Sequence, residues 1–199
     1  MVWKPDYCTV VEAKAYVKVE DADDDAQFAL AVTAASRAID DETERQFGQT
    51  AAPEARRYDA RWDKRRQRWL VAVDDIQDVT GLAVAVAAGA VTPFDLLPLT
   101  AAFTGKPYER LLIKPESVNQ PTGTEDGEVT VTAKYGWTAV PPTIKLATLF
   151  QVNRWHARRD GPFGVAGSPD QGSEIRLLAR LDVDVKVMLR GYIRWWGAA

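Results

Sequence analysis

The sequence predicts an α+β protein: a small helical bundle from the N- and C-terminal thirds, with a β-rich insertion in the middle. Three observations carry this expectation. Apolar residues recur at helical spacing before residue 50 and again after Pro142. Between those stretches, β-branched and aromatic runs alternate with Gly and Pro. The chain has 199 residues, 46% of them hydrophobic, enough for one real core and a sizeable insertion. The expected division is residues 1–50 as the first part of the helical core, 51–135 as the insertion and 136–199 as the second part of the core.

The first helix is expected from Val10 to Lys18. Thr9 and Glu12 have capping-box spacing, in which each side chain bonds the other residue's backbone N–H. The acidic stretch Asp21 to Asp25 then opens a longer helix, with carboxylates near the positive end of its dipole. Phe28, Val32, Ala35 and Ile39 recur at steps of four, three and four, giving one apolar face. Asp40, Asp41, Glu42 and Glu44 lie near the far end, and Gly48 is the expected C-cap.

In the middle, Arg57–Ala60 and Arg68–Val73 flank a charged turn and read as a hairpin. Val79–Val86, Tyr108–Ile113 and Glu128–Ala133 read as further strands. Val84–Ala88 has helical composition, but Gly81 and Gly89 bound it too closely for a helix.

Pro141 and Pro142 suit a helix start, where a missing N–H costs nothing. Ile144, Leu146, Ala147, Leu149, Phe150 and Val152 leave little polar face, so this helix is expected at the centre of the bundle. The segment 161–169, with Gly161, Gly164, Gly167, Pro162 and Pro169, reads as loop. A final helix is expected from near Asp182, with Leu178, Leu181, Val185, Met188 and Tyr192 at steps of three and four.

Composition narrows the function. A net charge of −3 and a pI near 5.3 argue against a dedicated nucleic-acid binder, though not against a local basic patch. One cysteine, Cys8, allows neither an internal disulfide nor a Cys-based zinc cage. No apolar run approaches the roughly 20 residues of a membrane helix. The first residues lack a signal-peptide layout, so synthesis in a cytoplasm is expected.

Catalytic patterns are absent. The one histidine, His156, stands among Arg154, Arg158 and Arg159 with no adjacent carboxylate, and reads as a packing or surface residue. Cys8 reads as a small buried hydrophobe. Asp21, Asp23 and Asp25 imitate a calcium loop, but Ala26 and Val32 stand where it needs glycine and glutamate. Gly105-Lys106 lacks the rest of a phosphate loop. The expectation is no enzyme, no cofactor and no metal.

Two clusters remain. Arg61, Lys64, Arg65, Arg66 and Arg68, interleaved with Trp62 and Trp69, read first as a solvated hairpin whose tryptophans pack across the strands, and second as a surface for nucleic acid. Trp195 and Trp196, beside Arg194, have little local core to cover them. An interface is the favoured reading there, packing within the chain's own core the other.

The order of these elements resembles the head-to-tail connector (adaptor) proteins of long-tailed bacteriophages. The residues that carry the likeness are Val11–Val19, Asp23–Asp25 and the helix to Gly48. At the other end they are Tyr135-Gly136-Trp137-Thr138-Ala139-Val140-Pro141, Arg158–Gly167 and Arg180–Val185. About 120 residues are covered, and the Gly-Trp-x-x-Val-Pro and Arg-Arg-Asp-x-Pro-Phe-Gly segments are the specific part. The family pattern has proline where this chain has Val183, and the strand-rich middle has no counterpart in it.

The resemblance implies a non-enzymatic virion protein of the neck. A ring of it, usually twelve copies, would sit below the portal, extend the channel for double-stranded DNA and meet a stopper or tail-side protein. It implies a C-terminal tail that docks on the portal: Arg190, Tyr192, Ile193, Arg194, Trp195 and Trp196. Apart from the resemblance, Phe163 and Val165, as the apolar residues of a Gly- and Pro-rich loop, are the candidates to insert into a neighbouring subunit. Lys64, Arg65, Arg66 and Arg68 are the candidates to face DNA, the role of the hairpin being open. No membrane partner is expected. Two other readings stay open: a stopper or tail-completion protein, and a small nucleic-acid-binding regulator.

Overall fold

In the computed structural model, residues 4–159, 165–166, 175–176 and 181–194 are described, and the fold is α+β. The chain divides into two compact units. One combines Pro5–Arg45 with Val140–Trp195 and is helical. The other centres on Gln46–Ala139 and is built of strands.

The helical unit holds α1 (Val10–Val17), α2 (Asp25–Thr43), α4 (Pro142–Arg159) and α5 (Val183–Leu189); a four-residue helix, α3 (Ala101–Thr104), belongs to the other unit. The capping box forms: Glu12 N–H donates to Thr9 Oγ1 at 3.2 Å and Thr9 N–H to Glu12 Oε2 at 2.9 Å. Lys18 ends α1 in the left-handed conformation. Phe28, Val32, Ala35 and Ile39 are all buried, so the apolar stripe of α2 is the core face. With Cys8, Ala13 and Val152, Phe28, Val32 and Ala35 form one cluster. Each large aliphatic or aromatic side chain so buried stabilises the fold by roughly 1.5–3 kcal/mol before entropy is counted. Helix α4 packs against α1, α2 and α5, with Ile144, Ala147 and Val152 fully buried among them.

Helix α2 stops at Thr43, five residues before Gly48, and Glu44 takes the left-handed cap at φ 52°. The physical reason lies in Asp40, Asp41, Glu42 and Glu44. Carboxylates at the negative end of a helix dipole disfavour further turns. Gly48 serves elsewhere: its carbonyl accepts from Trp137 N–H at 2.9 Å. A Cβ on Gly136, which has φ 105°, would lie 1.8 Å from that carbonyl oxygen. Glycine is therefore obligatory at 136.

The β unit has two four-stranded antiparallel sheets. One runs β1 (Glu54–Tyr58), β8 (Val129–Lys134), β4 (Asp78–Val86), β5 (Gly89–Ala90). The other runs β2 (Ala60–Asp63), β3 (Arg68–Ile76), β7 (Tyr108–Ile113), β6 (Phe94–Leu97). Their inner faces share one core that includes Val71, Val73, Leu111, Ile113, Val84, Val129, Val131 and Tyr135. Arg56 crosses between the sheets, its guanidinium 4.0 Å from the Tyr135 ring centroid and 2.8 Å from Asp74 Oδ2. Tyr58 donates to the same oxygen at 2.9 Å. Burial first, then Tyr135 and Asp74, hold the Tyr58 hydroxyl far above its usual pKa.

The expected hairpin needs correction. Ala60–Asp63 pairs with Arg68–Val71, but Arg57 and Tyr58 belong to β1 in the other sheet. Asp59 marks the crossing: its carboxylate accepts from Gly127 N–H instead of continuing the hairpin. Strand β6 escaped the sequence reading because Pro93 and Pro98 flank it, a placement tolerated at a sheet edge. The last helix starts at Val183 with Asp182 as N-cap but ends at Leu189, so Tyr192 lies beyond it, and Leu178 lies outside the described residues. Strand β9 (Val165–Ala166), which pairs with β10 (Ile175–Arg176), falls within the segment 161–169 expected to be loop.

Candidate functional site

None of the chemical candidates is poised for catalysis. Burial, then the carboxylates of Glu12 and Asp6, pushes the Cys8 thiol up to about 11, so at neutral pH it is not a nucleophile. The His156 ring stacks on Phe28 at 5.0 Å and lines a recess of roughly 220 Å³ with Asp24, Gln27, Ala31, Val152 and Trp155. At the acidic helix start, Lys14 donates both to the Asp21 carbonyl and to the Asp25 carboxylate. An ammonium group occupies the place a calcium loop would give to a metal. Among the described residues no group of three or more His, Cys, Asp or Glu side chains is arranged to hold a metal, and no helix is long and apolar enough to cross a membrane.

The C-terminal set divides in two. Trp195 and Trp196 lie outside the described residues, as does Phe163; of Val165 only the backbone, in β9, is described. Arg190 is exposed. Arg194 is buried, and its N–H donates to Thr43 O at 2.9 Å. Tyr192 O accepts from Arg45 Nε at 2.5 Å, and Ile193 N–H donates to Leu189 O at 3.2 Å. The stretch up to Arg194 is thus fastened to the end of α2 within the helical unit. That leaves Arg190 as the exposed cation of this set among the described residues.

The basic hairpin is shaped by Asp63. Its Oδ1 accepts from Arg65 N–H at 2.9 Å and Arg66 N–H at 3.1 Å, which fixes the turn and leaves the Lys64, Arg65 and Arg66 side chains exposed. Trp62 and Trp69 face each other across the strands with ring centroids 5.2 Å apart. The tryptophans therefore pack across the hairpin, as the first reading of this cluster expected.

Register shows what the sequence hid. Arg61, Leu70, Leu112 and Asp95 lie side by side across β2, β3, β7 and β6. Side chains two residues along a strand share a face, so Asp63, Arg68, Ala72, Arg110 and Leu97 join them. Lys114, just past β7, pairs with Asp95 at 3.0 Å, and Arg68 approaches the same carboxylate at 3.9 Å. Arg66 and Arg110 line one recess of roughly 380 Å³ with Leu97, Pro98 and Glu109. Arg61 belongs to the hairpin run visible in the sequence, whereas Arg110 and Lys114 lie far from that run and were not expected beside it. The available signal was the period-2 placement of Arg110 between apolar positions.

No family model matches the chain, and no curated protein matches it. Solved structures similar to it include two chains of gene transfer agent particles. One is a chain of the neck of an empty gene transfer agent particle computed with C6 symmetry, 20% identical, covering 88% of this chain and 94% of that one at a TM-score of 0.48. The other is a chain of the virion of a native gene transfer agent particle, 18% identical, covering 96% of this chain and 93% of that one at a TM-score of 0.49.

Proposed function

We propose that the chain is a structural virion protein of the neck: a head-to-tail connector subunit, working as one segment of a ring of about twelve copies below a portal. The observation that carries this reading is the construction of the helical unit. Of the segments bearing the family resemblance, Val11–Val19, the helix from Asp23–Asp25 to Arg45, and Val140, Pro141, Arg158, Arg159 and Leu181–Val185 from the other end belong to one helical unit, while Gln46–Gly48 and Tyr135–Ala139 belong to the β unit. The work is assembly, not turnover. A ring needs two different patches on each subunit, one meeting the other on the next copy.

In this reading the ring extends the DNA channel and joins the filled head to a stopper or tail. The C-terminal tail docks on the portal, with Trp195 and Trp196 as buried anchors; such residues are worth about 2 kcal/mol or more each at an interface. The experiment is co-sedimentation with DNA-filled, tail-less heads. The full chain is expected to bind and form a ring visible by electron imaging. A chain lacking residues 195–199 is expected to stay folded and to lose the heads. A full chain that remains monomeric and ignores heads would sink the reading. Sequence-specific DNA binding by that monomer would favour a regulator instead.

A further inference from the structure

We infer that the outward face of the β2-β3-β7-β6 sheet, and not the hairpin tip alone, is a binding surface for the phosphate backbone of duplex DNA. This deepens the connector reading, which supplies the DNA as the channel's contents, but it stands on a separate observation. The strands bring Arg61, Arg68, Arg110 and Lys114 to one face, Arg66 shares a recess with Arg110, and Lys64 and Arg65 are exposed on the adjoining turn. Among the described residues, the carboxylates that pair with these cations or line their recess are Asp63, Asp95 and Glu109. The whole chain carries −3, so this face is a positive surface on an acidic protein.

Its architecture suits a polyanion that slides. The carboxylates serve the frame: Asp63 holds the turn backbone, and Asp95 spaces Arg68 from Lys114. Between the cations lie Leu70 and Leu112, only 8% and 7% exposed, so no apolar pocket is offered to a protein anchor. The edge of the face is concave, where Arg66 and Arg110 share their recess. Neighbouring strands stand about 4.8 Å apart and same-face residues about 6.7 Å apart along a strand. Cations on that grid can follow a phosphate backbone. The contact proposed is with phosphates and not with base edges, so it is sequence-independent.

The test is titration of a short duplex DNA of arbitrary sequence with the full chain across a salt series. Each phosphate contact contributes a slope of about 0.9 in log affinity against log salt. The double variant Arg61→Ser/Arg110→Ser is expected to lower that slope by about 2, and Arg61→Lys/Arg110→Lys to restore most of it. Lys18→Ser, on the helical unit, is expected to leave it unchanged. The proposal is overturned if the Arg61/Arg110 variant matches the parent, or if Lys18→Ser weakens binding as much. It is also overturned if polyglutamate at equal charge competes as well as DNA, since the face would then fit an acidic protein. Sedimentation read on the same samples separates the two ideas: rings that form without DNA binding overturn this inference alone, and DNA binding without rings overturns the connector reading alone.

Discussion

The helical unit draws its residues from both ends of the chain, whereas the β unit is one continuous segment. Their signals run the other way. Each helix announces itself locally, through a cap such as Thr9 with Glu12 or a stripe such as Phe28, Val32, Ala35 and Ile39. Sheet membership is set by partners far away: Trp69 pairs with Ile113, and Glu54 with Ala133. A cap can be read from four residues, but a register requires knowing which strand lies alongside. The unit assembled from distant pieces was therefore the easier to anticipate, and the contiguous one the harder.

The sharpest dependence on distant pairing is at Gly136. It combines φ 105° with a carbonyl oxygen where its Cβ would stand, and its own N–H donates to Asp75 O at 2.6 Å. Neither neighbour can yield, because both are backbone. Gly136→Ala is expected to cost about 5 kcal/mol, enough to deplete folded protein, with solubility and urea unfolding as the measurements. An unchanged unfolding midpoint would show that the 48–50 and 135–137 segments do not need this close approach.

In the helical unit the corresponding weak point is a side chain. Phe28 is 2% exposed and stacks on His156. Phe28→Ala is expected to cost about 3 kcal/mol, the low end for such a truncation because the neighbouring recess already limits its packing. A loss below about 1 kcal/mol in thermal or urea unfolding would mean that the α2 stripe is not the main support of the bundle.

What was legible follows from these two cases. Helix starts were, because Thr9, Pro142 and Asp182 each carry their own chemistry at the helix end. The end of α2 was misplaced because glycine after a periodic stretch reads as a C-cap. Gly48 instead answers to Trp137 and Gly136, some 90 residues on. Long strands were legible by composition, yet β1 and β2 merged into one because nothing local says that Asp59 divides two sheets. For the candidate site, the hairpin cations were visible as a run. Arg110 and Lys114 became their neighbours only through pairing.

A smaller effect tests the departure from the family pattern at Val183. This residue opens α5 and is 72% exposed, so little packing is lost with it. Asp182 already has φ −56° and ψ 144°, the extended conformation that a following proline demands. The cap bond goes to Asp184 N–H, not to that of Val183. Val183→Pro is expected to raise stability by about 0.4–1 kcal/mol, chiefly by restricting the unfolded chain. A drop in the thermal midpoint would show that the Val183 N–H has a structural partner.

The smallest effect should also depend on pH. Asp182 holds the start of α5 by accepting from Asp184 N–H at 2.9 Å, and it pairs with Arg154 on α4. The Asp184 bond first, and Arg154 after it, lower its carboxyl pKa against the opposing effect of burial. A group whose folded pKa is depressed stabilises the fold above its unfolded pKa, about 3.9 for aspartate. That contribution is lost as pH falls through the lower folded value. Asparagine caps a helix as well as aspartate does, so Asp182→Asn keeps the cap and removes only the charge. The partners are partly exposed, at 21% and 26%, so solvent screens the pair. The variant is expected to lose a few tenths of a kcal/mol at neutral pH and to converge with the parent in acid, below the folded pKa. Urea unfolding of both proteins across pH would show the two curves closing from above pH 4 downward. Curves that stay parallel would mean that the Arg154 pair contributes nothing and that α5 is held by its cap and by Val185 and Leu189 alone.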